Sequence, residues 1–302
     1  MTKRIGFIGA GLMGHGAAKN ILAGGFPLTV LGHRNRRPVE DLIGRGAREA
    51  KTAAELAADV DILFTCVPDS EVMENVVLGE NGVLEAAHKG LVLIDMTTAE
   101  PGSTLKLAAM LAAKGAAMID GPVTLTPREA EEGRLNILIG AEPAQLEHVR
   151  PVLETFCQRI FHIGPLGSAH RLKLINNFLT LGTTALVVEA CTAARKAGVD
   201  PRMMVDLISV SGGDSVVFRR MGGLLTGDSD PKASSFAIKN AQKDVAYFWR
   251  LAESEGIYAP LADGVRRWYD LAVALGRGEG LLPELFEMHG ELSDAPITID
   301  RD

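Results

Sequence analysis

A short apolar strand that leads directly into a glycine-rich turn is the feature that most restricts the fold of this chain. The run Ile5–Ile8 is followed by Gly9-Ala10-Gly11-Leu12-Met13-Gly14 and then by an alanine-rich segment with helical spacing. In such a unit Gly9 permits a tight turn, Gly11 lets a pyrophosphate approach the backbone, and Gly14 allows close helix–strand packing. The helix N-terminus offers unpaired N–H groups to the anion. The sequence therefore predicts a dinucleotide site, with contacts at Gly9, Gly11, Leu12, Met13 and Gly14.

Further short apolar runs recur through the first half of the chain, with helical segments such as 13–23 and 104–114 between them. Strands that alternate with helices are typical of a mostly parallel sheet. We therefore predict a doubly wound α/β domain of the Rossmann type. The predicted strands are 5–8, 28–31, 62–67, 91–94, 118–119, 135–139 and 159–163.

The alternation stops near Gly164, and the rest of the chain carries long amphipathic segments bounded by Gly and Pro. This pattern predicts helices. We place the domain boundary at Gly164, so residues 1–164 form the Rossmann domain and residues 165–302 an all-α domain. The second domain should begin with a long helix over 168–196, and the tail after Leu292 should be frayed.

Composition restricts the classes of partner. The 302 residues are 47% hydrophobic and carry a formal net charge of −7, which disfavours disorder and nucleic-acid binding. The most apolar window, Leu179–Ala194, is shorter than the ~18 residues of a membrane span. The cysteines Cys66, Cys157 and Cys191 lack the spacing of a zinc site or of a disulfide framework. We expect a cytoplasmic protein with no metal and no membrane contact.

The residues that follow the second strand indicate whether the dinucleotide is NAD or NADP. NAD-binding domains place an acid there, but this strand is followed by Gly32-His33-Arg34-Asn35-Arg36-Arg37. A guanidinium can pair with a 2′-phosphate that a carboxylate would repel. We predict NADP, with NAD possible, and contacts at His33, Arg34 and Arg36. The alternative is a solvated basic loop.

A polar stripe crosses the apolar segment 172–194. Lys173, Asn177, Thr180 and Thr184 recur at spacings of four, three and four residues, which places them on one helix face. Burial lowers the pKa of a lysine and suits it to acid–base work. Lys173 is therefore a candidate general acid in carbonyl reduction, with Asn177 orienting the ammonium or the substrate hydroxyl. The alternative is a lysine whose ammonium reaches water.

Four segments together resemble the β-hydroxyacid dehydrogenases, a family that includes 3-hydroxyisobutyrate dehydrogenase and tartronate semialdehyde reductase. These segments are Gly6–Gly14, Asp120-Gly121-Pro122-Val123, Gly164 through Lys173 to Asn176-Asn177, and Phe236 with Lys243-Asp244. The resemblance spans nearly the whole chain. It implies that Lys173 is the catalytic lysine and that Asn177 supports it. It also implies cofactor contacts at Val67, Pro68, Thr97, Thr98 and Lys243.

The chain departs from the family where the substrate is expected. The family usually reads Asp-Ala-Pro-Val-Ser-Gly-Gly, whereas this chain continues after Val123 with Thr124-Leu125-Thr126. The resemblance implies that these three residues bind the substrate. Because two side chains replace glycines, the acid group could be held differently or be a different acid, or Leu125 could merely repack a tolerant loop.

The leading hypothesis is therefore an NADP-dependent oxidoreductase that interconverts a small 3-hydroxy carboxylic acid and its semialdehyde. Two alternatives remain: an NADP-dependent imine reductase, in which the lysine position is typically aspartate or tyrosine, and a non-catalytic dinucleotide-binding module. The long apolar helix also leads us to expect a homodimer or homotetramer. His162 and His170 flank the proposed site, but packing or capping is the expected role of each.

Overall fold

The computed structural model describes residues 2–231 and 236–299. It divides into two compact units, Met1–Lys173 and Leu174–Asp302. Phe236, named above with the Lys243 segment, lies just inside the second described range.

One sheet organises the first unit. Its strands are β1 Ile5–Ile8, β2 Leu28–Leu31, β3 Arg48–Ala50, β4 Ile62–Thr65, β5 Val92–Asp95, β6 Ala117–Asp120, β7 Val123–Thr124, β8 Leu135–Gly140 and β9 Cys157–Gly164. Their order is β3-β2-β1-β4-β5-β6-β8-β7, and β9 pairs with β8. The first six strands run parallel, β8 is antiparallel to β6 and β7, and β9 is parallel to β8. Parallel strands with intervening helices confirm the predicted fold class of this half.

Helices cover both faces of the sheet. They are α1 Gly14–Ala23, α2 Arg37–Gly44, α3 Ala53–Ala58, α4 Ser70–Leu78, α5 Val83–Ala86, α6 Pro101–Ala112, α7 Pro127–Glu131 and α8 Pro143–Leu153. Successive residues of a strand point to opposite faces, so Phe64 packs in one apolar core while its neighbour Leu63 packs in the other. Both faces are therefore buried, as a doubly wound sheet requires.

The second unit is helical over the residues described. Helix α9 runs from Ser168 to Lys196, as predicted, and is followed by α10 Pro201–Ile208, α11 Val216–Thr226, α12 Ile238–Ser254, α13 Pro260–Ala274 and α14 Glu284–Leu292. Tyr269 is fully buried in the core of this unit, and its hydroxyl donates to the Leu181 carbonyl over 3.0 Å. Burial raises the pKa of that phenol.

Helix α9 is longer than the apolar window seen in the sequence. By length and composition it could cross a membrane, but 44% of its most apolar window is buried within the protein. A core helix of a soluble protein meets the same test, so this one helix is weak evidence for a membrane span.

The prediction of a frayed tail after Leu292 is wrong as far as residue 299. Ile297 and Ile299 are 9% and 3% exposed and belong to the helical core. The Lys196 ammonium donates to the carbonyls of Ser293 and Asp294 over 2.8 and 2.9 Å. Burial of the two isoleucines orders the tail. The sequence after Leu292 has no helix or strand pattern from which this burial could be predicted.

Candidate active site

The glycine turn has the geometry that a dinucleotide needs. Gly9 has φ +93°, and a Cβ there would lie 2.2 Å from the Cys66 carbonyl oxygen. A Cβ on Gly14 would lie 2.1 Å from the Gly9 carbonyl oxygen, so the protein itself requires both glycines. A Cβ on Gly11 would meet nothing within 4 Å. Gly11 thus faces open space, where only an approaching ligand would require the missing side chain.

Helix α1 begins directly after this turn. No side chain among the described residues caps its N-terminus, and Leu12 is 74% exposed. Unpaired N–H groups at a helix N-terminus bind phosphate. The residues present therefore fit a dinucleotide, with Gly9 through Gly14 positioned to hold its pyrophosphate.

The loops after β4 and β5 are joined to one another at the carboxyl edge of the sheet. Val67 N–H donates to Thr97 Oγ1 over 3.1 Å, and Thr97 N–H donates to Asp95 Oδ1 over 3.0 Å. Thr65 also donates to Asp95 Oδ1, and burial raises the pKa of this carboxyl. The Thr97 hydroxyl is buried and serves the loop, whereas Thr98 is half-buried and Pro68 is exposed.

The basic segment after β2 contains two kinds of arginine. Arg36 makes a two-bond ion pair with Glu49 of β3, in which Nη2 lies 2.9 Å from Oε2. The hydrogen bond from Arg36 lowers the pKa of the Glu49 carboxyl. Arg34 and Arg37 are exposed, like His33, and within the described ranges no carboxylate lies within 4.0 Å of either guanidinium. Sequence reasoning missed Glu49 because β3 is a three-residue edge strand without an apolar run.

Lys173 lies in the second turn of α9. Its side chain is half-buried, and Nζ donates to the Val123 carbonyl of β7 over 2.8 Å. This hydrogen bond holds the lysine beside the loop that the resemblance assigns to substrate.

A buried carboxylate fixes the start of the same helix. Asp120 Oδ1 accepts Gly167 N–H over 2.7 Å, and Oδ2 accepts His170 N–H over 2.8 Å. A Cβ on Gly140 would lie 2.0 Å from Oδ1, so that glycine makes room for the carboxylate. Both oxygens of Asp120 are therefore used to hold α9, although the resemblance placed its segment at the substrate.

His170 is fully buried on the first turn of α9. Its Nδ1 lies 2.7 Å from the hydroxyl of Thr104 on α6. The position favours the packing role expected for this histidine. His162, on β9, has Nε2 2.7 Å from the Ala141 carbonyl oxygen.

Residues Thr124-Leu125-Thr126 form the substrate loop, which combines an N-terminal helix cap with a residue at positive φ. Thr124 is half-buried in β7, while Leu125 has φ +82° and is 45% exposed. The Thr126 hydroxyl donates to the Glu129 carboxylate and, as the cap of α7, accepts the Glu129 N–H. The Thr126 N–H also donates to the Glu129 carboxylate over 3.0 Å, and its carbonyl accepts Ala130 N–H over 3.1 Å. Thr126 is therefore committed to α7 through its hydroxyl and its backbone, so the polar groups of this loop that could meet a ligand are Thr124 and the Leu125 N–H.

In the second unit, Asn177 is held by a buried acid. Asn177 Nδ2 donates to Asp244 Oδ2 over 2.6 Å, and Lys243 Nζ lies 3.1 Å from Asp244 Oδ1. Asp244 is 1% exposed. Because the Asn177 amide donates to the acid, its carbonyl oxygen is oriented as an acceptor. The resemblance implies a cofactor contact at Lys243, and the structure adds Asp244 as the residue that fixes Asn177.

The remaining members of the polar stripe act within the helix. The hydroxyls of Thr180 and Thr184 donate to the carbonyls of Asn176 and Thr180, each over 3.0 Å. Such back-bonding satisfies a hydroxyl inside an apolar helix. The stripe therefore reduces to Lys173 and Asn177 as candidates for chemistry.

Comparison with known proteins defines the class. Residues 4–164 match the model of the NAD binding domain of 6-phosphogluconate dehydrogenase, and residues 167–280 match the model described as NAD-binding of NADP-dependent 3-hydroxyisobutyrate dehydrogenase. The protein is an oxidoreductase that uses a nicotinamide dinucleotide.

Individual relatives narrow the class. The chain is 31% identical to 2-(hydroxymethyl)glutarate dehydrogenase of Eubacterium barkeri, over 98% of this chain and 97% of the relative. It is 33% identical to 3-sulfolactaldehyde reductase of Escherichia coli K12, over 91% of each. The solved structure of Psf3 in complex with NADP+ and 2-OPP is 26% identical, with a TM-score of 0.81 over 94% of this chain and 99% of that one. The chain belongs to the β-hydroxyacid dehydrogenase family.

Proposed function

We propose that this enzyme uses NADP to interconvert a small 3-hydroxy carboxylic acid and its semialdehyde, with Lys173 as general acid and base. The observation that carries the proposal is the position of Lys173, whose Nζ is held 2.8 Å from the Val123 carbonyl at the start of the substrate loop. Because this hydrogen bond orients the ammonium group in advance, proton transfer requires no further ordering of the Lys173 side chain.

The proton transfer follows from this geometry. The bound nicotinamide supplies the hydride to the aldehyde carbon, or accepts it in the reverse direction. Lys173 gives a proton to the carbonyl oxygen as negative charge develops there, which yields the hydroxyl of the 3-hydroxy acid. In the oxidative direction the neutral amine takes that proton back. The resemblance assigns Asn177 a supporting role in this step, and the Asp244 carboxylate fixes the orientation of the Asn177 amide.

The cofactor part of the proposal rests on the basic segment. Arg34 and Arg37 are exposed guanidinium groups beyond the end of β2, the position at which a 2′-phosphate is recognised. Arg36 acts indirectly, because it forms an ion pair with Glu49 of β3. This ion pair neutralises a carboxylate that would otherwise repel a 2′-phosphate at the same edge of the sheet. The presence of NADP+ in the similar structure of Psf3 supports this choice. The other cofactor contacts in the proposal are Gly9, Gly11, Leu12, Met13, Gly14, His33, Val67, Pro68, Thr97, Thr98 and Lys243.

The substrate part of the proposal rests on the loop after β7. The Thr124 hydroxyl and the Leu125 N–H offer hydrogen-bond donors to a small carboxylate, whereas the Thr126 N–H is bonded to Glu129. The two relatives described above, 2-(hydroxymethyl)glutarate dehydrogenase and 3-sulfolactaldehyde reductase, are named for a hydroxy acid and an aldehyde. Their names support a hydroxy acid or an aldehyde as substrate over a cyclic imine.

Two further properties belong to the proposal. Helix α9 carries exposed apolar side chains at Leu172, Ile175, Leu179 and Leu186, whose burial would stabilise a homodimer or homotetramer. The cysteines Cys157 and Cys191 are buried free thiols, and burial raises the pKa of Cys191 to about 12. Unpaired cysteines agree with a cytoplasmic location.

The decisive experiment compares Lys173→Ala with Lys106→Ala, a control on α6 whose ammonium pairs with Glu74 at the surface. We expect Lys173→Ala to lose about 10²- to 10⁴-fold in kcat, the range for a general acid, while NADPH binding measured by fluorescence is retained. The Lys106→Ala control should keep the wild-type kcat and the wild-type affinity for NADPH. Near-normal turnover of Lys173→Ala would refute the assignment.

A further inference from the structure

Leu125 has a backbone conformation that its residue type disfavours. Among the described non-glycine residues, positive φ angles occur at Asn81 (+55°), Leu125 (+82°) and Asp294 (+49°). Asn and Asp enter this region readily because their short polar side chains bond locally, whereas Leu does not. Leu125 is therefore a strained residue.

Packing within the protein does not account for this strain. The Leu125 side chain is 45% exposed and lies outside the apolar cores of the described residues. A strained conformation persists where the surroundings enforce it, and such residues cluster at ligand-binding sites. The exposed isobutyl group is therefore available to a ligand rather than needed by the fold.

The position of Leu125 identifies the ligand-binding site concerned. It stands two residues after Val123, whose carbonyl holds Lys173 Nζ at 2.8 Å. Its φ is one that glycine adopts freely, so the backbone here keeps a glycine-type path while a large apolar side chain is added. The loop thus keeps the Leu125 N–H for an anion and gains an apolar side chain two residues from the carbonyl that holds the acid–base group.

We propose that Leu125 is a specificity-determining residue that selects substrates with an alkyl group on C2 over substrates with a hydroxyl there. This inference rests on the proposed function and names the substrate class for the same site. An isobutyl group gives an alkyl substituent van der Waals contact. A C2 hydroxyl placed against the isobutyl group would lose its hydrogen bonds to water and gain no new partner. The neighbouring Thr126 hydroxyl cannot compensate, since it already pairs with Glu129.

The test uses two acids that differ in this substituent alone. Oxidation of 3-hydroxyisobutyrate (C2 methyl) and glycerate (C2 hydroxyl), both enantiomers of each, is followed by formation of NADPH and NADH. Wild type is compared with Leu125→Gly, which removes the side chain, and Leu125→Asn, which replaces it by a polar group that tolerates positive φ. Asn81→Gly is the matched control, because it changes a second positive-φ residue away from this loop.

We expect wild type to favour the methyl acid in kcat/KM by about 10- to 100-fold, the discrimination that an apolar pocket achieves between such isosteres. Both Leu125 variants should lower this ratio by at least about tenfold, and Leu125→Gly should also raise Tm through relief of strain. Asn81→Gly should keep the wild-type ratio.

The outcomes separate the two proposals. If wild type oxidises neither acid with either cofactor, the proposed function fails and this inference fails with it. If wild type is active but favours glycerate, or if both Leu125 variants keep the wild-type ratio, the inference about Leu125 is overturned and the proposed function stands.

Discussion

Asp120 accepts the backbone N–H of His170 over 2.8 Å, three residues before Lys173. The second oxygen of Asp120 accepts Gly167 N–H, so one buried carboxylate at the end of β6 holds the first turn of α9. A negative charge at a helix N-terminus is stabilised by the helix dipole and by these unpaired donors. The sheet thereby sets the position of the first turn of α9, which immediately precedes the proposed acid Lys173.

Asp120→Asn should destabilise the protein. An amide has one acceptor oxygen, so one buried N–H would face an NH2 group, at a cost of about 2–3 kcal/mol in the free energy of unfolding. Denaturant titration measures the change. Asp200→Asn is the matched control, since Asp200 caps α10 by accepting Met203 N–H and Asn caps equally well there. Equal stability of the two variants would contradict the role assigned to Asp120.

Asp244→Asn should lower kcat by about 10- to 100-fold, because a hydrogen bond to a charged group is worth about 1.5–3 kcal/mol and this one orients Asn177. Because Asp244 also pairs with Lys243, a proposed cofactor contact, dinucleotide affinity is measured beside kcat. Steady-state kinetics with a binding titration separates the two effects, and Asp206→Asn, on exposed α10, is the control. An unchanged kcat would show that the orientation of Asn177 is not needed.

The double variant Arg34→Ala/Arg37→Ala should lower the kcat/KM preference for NADP over NAD by at least about tenfold, since charge-assisted bonds to the 2′-phosphate would be lost. Assays with NADPH and NADH side by side measure this ratio. Arg48→Ala is the control, because Arg48 is an exposed arginine of β3 that pairs with Asp59. A wild-type preference for NADH greater than about tenfold would overturn the interpretation of this arginine cluster.

Thr126→Ala should cost about 1 kcal/mol of stability at pH 7, the usual value of a helix cap. The Thr126 hydroxyl lowers the pKa of the Glu129 carboxyl below its ordinary 4.5. A lowered pKa contributes stability above the unfolded value that is lost as the pH falls through the folded value. The stability difference from wild type should therefore narrow below pH 4.5, and Thr126→Ser should behave like wild type. A difference independent of pH would contradict the proposed cap.

The candidate site could be predicted in part because its residues stand in local patterns. The glycine turn follows a strand directly, and Lys173 and Asn177 are separated by one helical turn. Glu49 and Asp244 could not be assigned in this way. Glu49 meets Arg36 only because β3 pairs with β2, and Asp244 meets Asn177 across 67 residues of chain. Such pairings depend on packing between elements, for which one sequence carries no local signal.

The sequence by itself determined the alternation of strands and helices, the bounds of α9 and the glycine turn, because each depends on residues that are neighbours along the chain. Tertiary structure decided which polar groups remain for chemistry. It committed Asp120 to the start of α9, Arg36 to Glu49 and the Thr126 hydroxyl to α7, since a buried or paired polar group must find its partner wherever the fold brings one within hydrogen-bonding distance. It also held Leu125 at a positive φ, a conformation that its residue type alone would not predict.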